Sequence, residues 1–260
     1  MRRILRSLAC VALLVLSCNV YAAERVVDIP TRSGVTQRFL FLPATDAKAA
    51  VILFAGGHGG LQFDTSGRPR TLRNNFLVRS RELFAAQSLT VAVIDAPSDR
   101  QSEPFLNGFR QTPEHAADVQ AVIAWLKAQT QVPVWLVGTS RGTQSAAAVA
   151  VTLSSGGGPD GIVLTSTILV DRRGRPVPDI AVDTLKIPVL VVHHEQDGCR
   201  SCLYGDVPLL MRKLAPVPKK ELVTFRGGEN HGDPCEALAY HGYNGIERDV
   251  VARIAAWITK

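Results

Sequence analysis

The sequence predicts an α/β fold of one domain, with a mostly parallel β-sheet covered by helices on both faces. Two continuous apolar runs, at residues 51–55 and 134–137, are typical of strands that are buried on both sides. Such runs alternate along the chain with segments of helical periodicity, as expected for parallel βαβ units. A chain of 260 residues that is 46% hydrophobic and 20% charged can also bury a substantial core. We therefore expect three layers in a single domain.

The individual elements follow from local signals in chain order. Residues 25–29 and 36–42 are short strand-like runs on either side of Ser33-Gly34, which predicts an antiparallel pair at the start of the sheet. Thr112 and Pro113 predict the beginning of a helix, because Thr is a good N-cap and Pro fits the first helical position. In all, we predict further strands at 51–55, 89–94, 134–137, 162–165, 189–192 and 222–225, and helices at 73–87, 112–129, 141–153 and 246–258.

The first 22 residues have the pattern of a secretory signal peptide. Arg2, Arg3 and Arg6 form a basic segment, residues 8–16 are apolar, and residues 20–22 offer small side chains for cleavage. The apolar run is about half of the ~20 residues that span a bilayer, so we expect no stable membrane insertion after cleavage. An uncleaved anchor or a buried first helix is the alternative. The sequence therefore predicts a signal peptide at 1–22 and one domain at 23–260.

Export to the periplasm or the medium is the expected outcome of this signal. Val15-Leu16-Ser17-Cys18 partly resembles a lipoprotein cleavage box, so lipid anchoring at Cys18 is a minority alternative. The three arginines of the signal carry half of the formal net charge of +6. The remaining excess of positive charge is too small to indicate a nucleic-acid partner.

Residues 138–142 read Gly-Thr-Ser-Arg-Gly and lie between a predicted strand and a predicted helix. This G-x-S-x-G pattern is typical of a sharp turn that lifts a nucleophilic serine above a sheet. Glycines on both sides of the turn remove the Cβ atoms that would clash there. We therefore predict Ser140 as a nucleophile. The alternative is an ordinary strand-to-helix turn with a serine at its centre.

A serine nucleophile needs a base, and the base needs a carboxylate that orients it. Asp197 follows the strand at 189–192, and His231 follows the strand at 222–225 in a glycine-rich loop. Loops at the carboxyl ends of parallel strands meet at one edge of the sheet. The sequence therefore predicts His231 as the base and Asp197 as the acid.

Other residues compete for these two roles. His241 is the second choice as base, and Glu195 and Asp95 are alternatives for the acid. His193 and His194 lie at a strand end and are expected to pack or to line the site. His115 falls in the first turn of a predicted helix, where we expect it to be solvated.

Acyl transfer also requires donors for the negative charge that develops on the carbonyl oxygen. The glycine-rich segment 56–60 follows the strand at 51–55 and would let the backbone approach a substrate closely. We expect the donors to be the backbone N–H of Arg141 and an N–H at Gly57 or His58. A phosphate-binding loop and a purely structural turn are the alternatives for this segment, although neither phosphate-loop motif is complete.

Together, the serine motif at 138–142, the glycine loop and the chain order Ser140, Asp197, His231 resemble the α/β-hydrolase family. The resemblance extends over residues 25–258 and implies an acyl-enzyme mechanism with no metal or organic cofactor. It implies a small-molecule ester or thioester as substrate. Only residues 167–186 separate two predicted strands where many relatives carry a helical cap, so we expect little or no cap.

Two other functions stay open at this point. A peptidase or amidase would use the same three residues, and a binding or assembly protein could keep the scaffold without the chemistry. Residues 171–176 include three arginines and are most simply a solvated basic turn. The alternative for this turn is that it attracts an anionic acyl substrate.

Three cysteines follow the signal peptide, which allows one disulfide in an oxidising compartment. In the fold that the resemblance implies, the loops after Asp197 and His231 meet. Cys235 should therefore bond to Cys202, with Cys199 as the alternative partner. A local Cys199–Cys202 bond and three free thiols are the competing outcomes. The zinc interpretation of this Cys-x-x-Cys pair is weak, since no second ligand pair follows at finger-like spacing.

Overall fold

An eight-stranded sheet with the order β1-β2-β4-β3-β5-β6-β7-β8 forms the centre of the protein. The computed structural model describes residues 24–171 and 174–260. The two antiparallel pairings, β1 with β2 and β2 with β4, lie at one edge, and all the other pairings are parallel. This confirms the predicted fold class. The strands are β1 (Arg25–Pro30), β2 (Thr36–Leu42), β3 (Ala49–Phe54), β4 (Leu89–Ile94), β5 (Val134–Thr139), β6 (Gly161–Thr165), β7 (Val189–His194) and β8 (Lys220–Phe225).

The core lies on both faces of the sheet, and β3 shows how the sequence builds it. All six residues of β3 are buried. Ile52 and Phe54 belong to the core of one face, while Val51 and Leu53 belong to the core of the other. Successive side chains of a strand point to opposite faces, so a fully apolar run is what a strand between two helical layers requires.

Helices cover both faces, as the sequence predicts. Residues of α3, α4 and α5 contribute to one core, and residues of α1, α2 and α6 to the other. The predicted helix at 73–87 is two short helices that meet at the buried Ser80, and α5 was not predicted. The helices are α1 (Phe76–Arg79), α2 (Arg81–Ala85), α3 (Pro113–Thr130), α4 (Gly142–Thr152), α5 (Val207–Lys213) and α6 (Glu247–Ile258).

The connection between β6 and β7 carries no helical cap among its described residues. It forms two short 3-10 turns, Val177–Asp179 and Val182–Thr184. The predicted signal segment lies outside the residues that the structure describes. Within the described ranges, no helix is both long and apolar enough to span a membrane.

Candidate active site

Ser140 occupies a sharp turn between β5 and α4, with a backbone φ of +51°. A Cβ on Gly138 would lie 2.4 Å from the carbonyl oxygen of Gly142. A Cβ on Gly142 would lie 2.1 Å from the carbonyl oxygen of Phe54. The positive φ of a non-glycine residue is strained and is maintained by its surroundings. The two flanking glycines are therefore steric requirements of this turn.

The backbone of Ser140 is fixed to neighbouring elements, while its side chain is half-buried and makes no hydrogen bond within the described chain. Its N–H donates to the Thr165 carbonyl at the end of β6, at 3.1 Å. Its carbonyl accepts from the Thr143 hydroxyl at 2.6 Å. The backbone of Ser140 is thus held in place by hydrogen bonds, while its hydroxyl is left free to react.

Asp197 lies just past the end of β7 and is buried. One carboxylate oxygen accepts the backbone N–H of Cys199 at 2.9 Å. The other lies 2.9 Å from Nδ1 of His241, a histidine that is itself 5% exposed. A buried carboxylate aimed at an imidazole nitrogen is the arrangement that orients a catalytic base.

This contact differs from the predicted pairing of Asp197 with His231. His231 is exposed, and its Nε2 lies 3.0 Å from a carboxylate oxygen of the equally exposed Glu229. The structure brings Asp197 together with His241, the second choice from the sequence. Glu229, Asn230 and Asp233 surround His231 with polar side chains, which favour an exposed loop. This polar setting is the signal that argues against His231.

A buried network fixes the backbone that carries His241. The Ser166 hydroxyl donates to the His241 carbonyl at 2.7 Å. The Tyr243 hydroxyl donates to the Val192 carbonyl of β7 at 2.9 Å and accepts the N–H of Ser166 at 3.1 Å. Burial raises the pKa of Tyr243, so its hydroxyl stays protonated. The network attaches the His241 turn to the ends of β6 and β7.

The glycine loop after β3 lies directly against the serine turn. A Cβ on Gly56 would be 2.9 Å from the Cβ of Ser140, which explains why glycine is needed there. Gly57 has a φ of +57°. The backbone N–H groups of Gly57, His58 and Arg141 donate to no other described residue. They are therefore available to a ligand, and their role as oxyanion donors stays a prediction.

Arg110 supports this loop through its carbonyl groups. Its guanidinium donates to the carbonyls of Ala55 and Gly57 at 3.0 and 3.1 Å. His58 stacks on Phe105, with ring centroids 4.4 Å apart. Nδ1 of His58 accepts the N–H of Gly60 at 3.1 Å, and burial lowers the pKa of the ring. A neutral His58 with a fixed orientation follows from these contacts.

The remaining candidates for acid and base have structural roles. Asp95 is buried and accepts the backbone N–H groups of Leu61 and Phe63 at 2.7 and 3.1 Å. Burial raises the pKa of Asp95. Glu195 pairs with Arg226 at 2.5 Å. Both carboxylates are therefore occupied away from His241.

Three further histidines are buried, and the sequence predicted the position of two of them. His115 is 1% exposed, which corrects its expected solvated position. Burial lowers its pKa to about 3. His193 and His194 are buried at the end of β7, as expected for packing residues. Their Nε2 atoms donate to the carbonyls of Cys202 and Gly227 at 2.6 and 2.9 Å.

The disulfide joins Cys199 to Cys235, with the two Cα atoms 4.4 Å apart. The preferred Cys202–Cys235 pairing is therefore wrong, and the alternative partner is confirmed. Cys202 is a buried free thiol. The N–H of Cys202 donates to the Cys199 carbonyl at 2.7 Å, so the chain turns tightly between the two residues and directs them differently. Their spacing in the sequence does not show this turn.

One cluster of metal-ligand types lies beside this bond. Donor atoms of Cys199, Cys202 and His241 are within 4.8 Å of one another. The sulfur of Cys199 is consumed by the disulfide. Cys202 and His241 alone fall short of the ligand number of a structural zinc site. The weak zinc interpretation therefore gains no support from this cluster.

A cavity of about 540 Å³ opens at the expected oxyanion donors Gly57, His58 and Arg141. Its far wall includes Gly174 and Arg175 from the connection between β6 and β7. This volume is in the range of small-molecule sites, about 300 to 1,000 Å³.

Comparison with known proteins identifies the fold. No family model matches the sequence, and no curated protein matches it. Among solved structures, dienelactone hydrolase from Anabaena variabilis gives a TM-score of 0.61 at 16% identity, covering 90% of this chain and 96% of that one. XC6422 from Xanthomonas campestris, an α/β serine hydrolase without lid, gives 0.57 at 17%, covering 90% and 95%.

A third match, the metagenomic carboxylesterase EstE1, gives a TM-score of 0.62 at 18% identity and covers 92% of this chain and 89% of that one. Identities this low show a common architecture only. Together with the observed strand order and the serine turn after β5, they establish that the chain has the α/β-hydrolase fold.

Proposed function

We propose that the protein is a serine hydrolase that cleaves carboxylic esters or thioesters through an acyl-enzyme on Ser140. The observation that carries the proposal is the buried contact of 2.9 Å between His241 Nδ1 and Asp197. It lies beyond β7, at the edge of the sheet where Ser140 follows β5. Nucleophile, base and acid thus occur at the carboxyl ends of parallel strands.

The contact with Asp197 sets the tautomer of the proposed base. A carboxylate accepts hydrogen bonds, so Nδ1 of His241 carries the proton and Nε2 keeps its lone pair. Nε2 takes the proton of Ser140 Oγ as this oxygen attacks the substrate carbonyl. The N–H groups at Gly57 or His58 and at Arg141 stabilise the oxyanion.

Collapse of the tetrahedral intermediate completes acylation. The bond from carbon to oxygen or sulfur breaks, and His241 gives its proton to the leaving group. Water then attacks the acyl-enzyme with His241 again as base, releasing the acid and regenerating Ser140.

Export and a small-molecule substrate belong to the same proposal. The Cys199–Cys235 bond supports an oxidising compartment. It fits a signal peptide at 1–22 and a mature domain from residue 23. Esterases among the structural neighbours favour esters over amides.

Labelling with a fluorophosphonate probe tests the nucleophile. The native protein should react, Ser140→Ala should not, and Ser154→Ala should label like the native protein because Ser154 is exposed on a turn after α4. Labelling of Ser140→Ala would contradict the assignment. An unlabelled native protein would favour a binding role.

Paired p-nitrophenyl esters and p-nitroanilides of the same acyl groups then test the bond that is cleaved. We expect faster turnover of the esters. Comparable or faster cleavage of the anilides would favour a peptidase or amidase.

A further inference from the structure

The cavity beside the oxyanion loop is lined by three arginines. Arg110, Arg141 and Arg175 come from three different segments of the chain and converge on it. Glu103 is the one acidic residue in the described lining. This excess of positive charge borders the backbone groups that would hold a substrate carbonyl.

Arg110 is the most unusual of the three, because it is 4% exposed and has no acidic partner in the described chain. Its guanidinium contacts the Ser145 hydroxyl at 2.9 Å and the carbonyls of Ala55 and Gly57. Its Nε is buried and makes no hydrogen bond among the described residues. All of its partners are uncharged.

A buried charge without a counter-ion is costly, and proteins usually pair such groups. Burial and the nearby Arg141 lower the pKa of Arg110 to about 9. It is therefore still protonated at neutral pH, and its positive charge is uncompensated. An anion that entered the cavity would supply the missing partner.

The charges of Arg141 and Arg175 differ in whether a described residue pairs with them. Arg141 pairs with Asp171 at 2.8 Å, behind the cavity. Arg175 is exposed, and its Nε donates to the Gln111 side chain at 3.2 Å. Among the described residues around the cavity, Glu103 and Asp171 stand against the three arginines, which leaves one positive charge in excess.

We infer that this cavity binds a carboxylate of the substrate, so that the preferred substrates are small esters or thioesters with a second, anionic end. The inference rests on the proposed hydrolase function and names its substrate class. Gln111 and Gln144 add neutral side chains to the lining, and their amide groups hold the Arg175 carbonyl at 2.6 and 2.9 Å. A single positive charge in excess suits a monoanion better than a phosphate dianion.

Matched pairs of neutral and anionic substrates test the inference. One pair is p-nitrophenyl hemiglutarate and p-nitrophenyl methyl glutarate, which differ in the charge of the acyl end. The other is 3-carboxyphenyl acetate and 3-carbamoylphenyl acetate, with the difference on the leaving group. We expect kcat/KM to favour the anion by about tenfold in one pair, and more at low salt.

Two single-charge variants locate the effect. Arg175→Gln should lower the anion-to-neutral ratio of kcat/KM by about threefold or more, because the charge at the rim is removed. Arg248→Gln is the matched control, since Arg248 is exposed on α6 and does not line the cavity. Its ratio should equal the native value.

Inhibition by free anions tests the site without relying on turnover of the anionic esters. Glutaramate, which carries one carboxylate, should compete with p-nitrophenyl acetate in the native protein, and the neutral glutaramide should not. Stronger competition by inorganic phosphate than by glutaramate would contradict the choice of a carboxylate.

The outcomes separate this inference from the proposed function. If Ser140 reacts with the fluorophosphonate and neutral esters turn over as fast as anionic ones in both pairs, only the carboxylate site is wrong. A ratio that is unchanged in Arg175→Gln would overturn the site as well. If no ester is cleaved and Ser140 is not labelled, the hydrolase proposal itself fails.

Discussion

His241 is the proposed base because of one buried contact that sequence spacing does not reveal. Its imidazole faces the carboxylate of Asp197, whereas His231 faces solvent and Glu229. An imidazole that a buried carboxylate orients is well suited to act as the base in the proposed mechanism. Residue type and position after a strand favoured His231, but burial decides for His241.

The two histidines provide a direct comparison. His241→Ala should lower kcat for p-nitrophenyl acetate by about 10³-fold or more, because Ser140 then has no proton acceptor. His231→Ala should stay within about twofold of the native rate, since an exposed side chain far from the acid contributes little. Circular dichroism checks that both variants are folded. The reverse pattern would restore His231 as the base.

His115 is a second buried histidine whose environment has a measurable consequence. Both ring nitrogens are buried and make no hydrogen bond among the described residues. The ring packs edge-to-face against Phe54 and Phe109, with centroids 6.1 and 5.6 Å away and interplanar angles of 73° and 64°. It therefore behaves as an aromatic core residue that carries two unsatisfied polar atoms.

Acid should destabilise the protein through His115. Its pKa falls from 6.5 to about 3 on folding, so between these values the unfolded chain binds a proton that the folded protein does not. Stability that is present at neutral pH is thus lost as the pH falls, by about 3 kcal/mol at about pH 4.5. His115→Phe should remove this component of the pH dependence in urea denaturation. His231→Gln, at an exposed site, should keep it, and an unchanged slope in His115→Phe would contradict the argument.

At the scale of elements, the disulfide ties two loops that the sheet places side by side. Cys199 belongs to the loop after β7 that carries Asp197, and Cys235 belongs to the segment between β8 and the His241 turn. The bond spans 36 positions of sequence. It therefore restrains the segments that carry Asp197 and His241 relative to each other.

Removing this bond should cost stability. The chain-entropy relation gives about 4 kcal/mol for a loop of this length. Cys235→Ser should therefore lower the free energy of unfolding by roughly that amount, and dithiothreitol should no longer affect it. Peptide mapping without reductant compares Cys199, Cys202 and Cys235. We expect only Cys202 to be alkylated, and only after denaturation, because its thiol is free and buried. Alkylation of Cys199 or Cys235 under these conditions would contradict the pairing.

At the scale of the whole molecule, periodicity and glycine patterns were enough to predict the parallel sheet, the two helical layers and the serine turn. They work because strands such as β3 are apolar on both faces and because Gly138 and Gly142 are sterically required. The pairing of Asp197 with His241 depends on contacts across 44 positions of sequence, which no local pattern encodes. Helix α5 has seven residues, too few for a periodic signal.

The absence of a helical cap from the described β6–β7 connection has a consequence for kinetics. The described part of this connection forms two 3-10 turns, and under the proposed function we expect a substrate to reach Ser140 without the opening of a helical lid there. Hydrolysis of p-nitrophenyl butyrate should therefore follow a simple hyperbola up to the solubility limit, without a lag. Assays with a detergent below and above its critical micelle concentration serve as a control for an interface effect. A steep rise in rate when the substrate forms an interface would show that a segment closes the site, and the connection at 166–188 would be the first place to look for it.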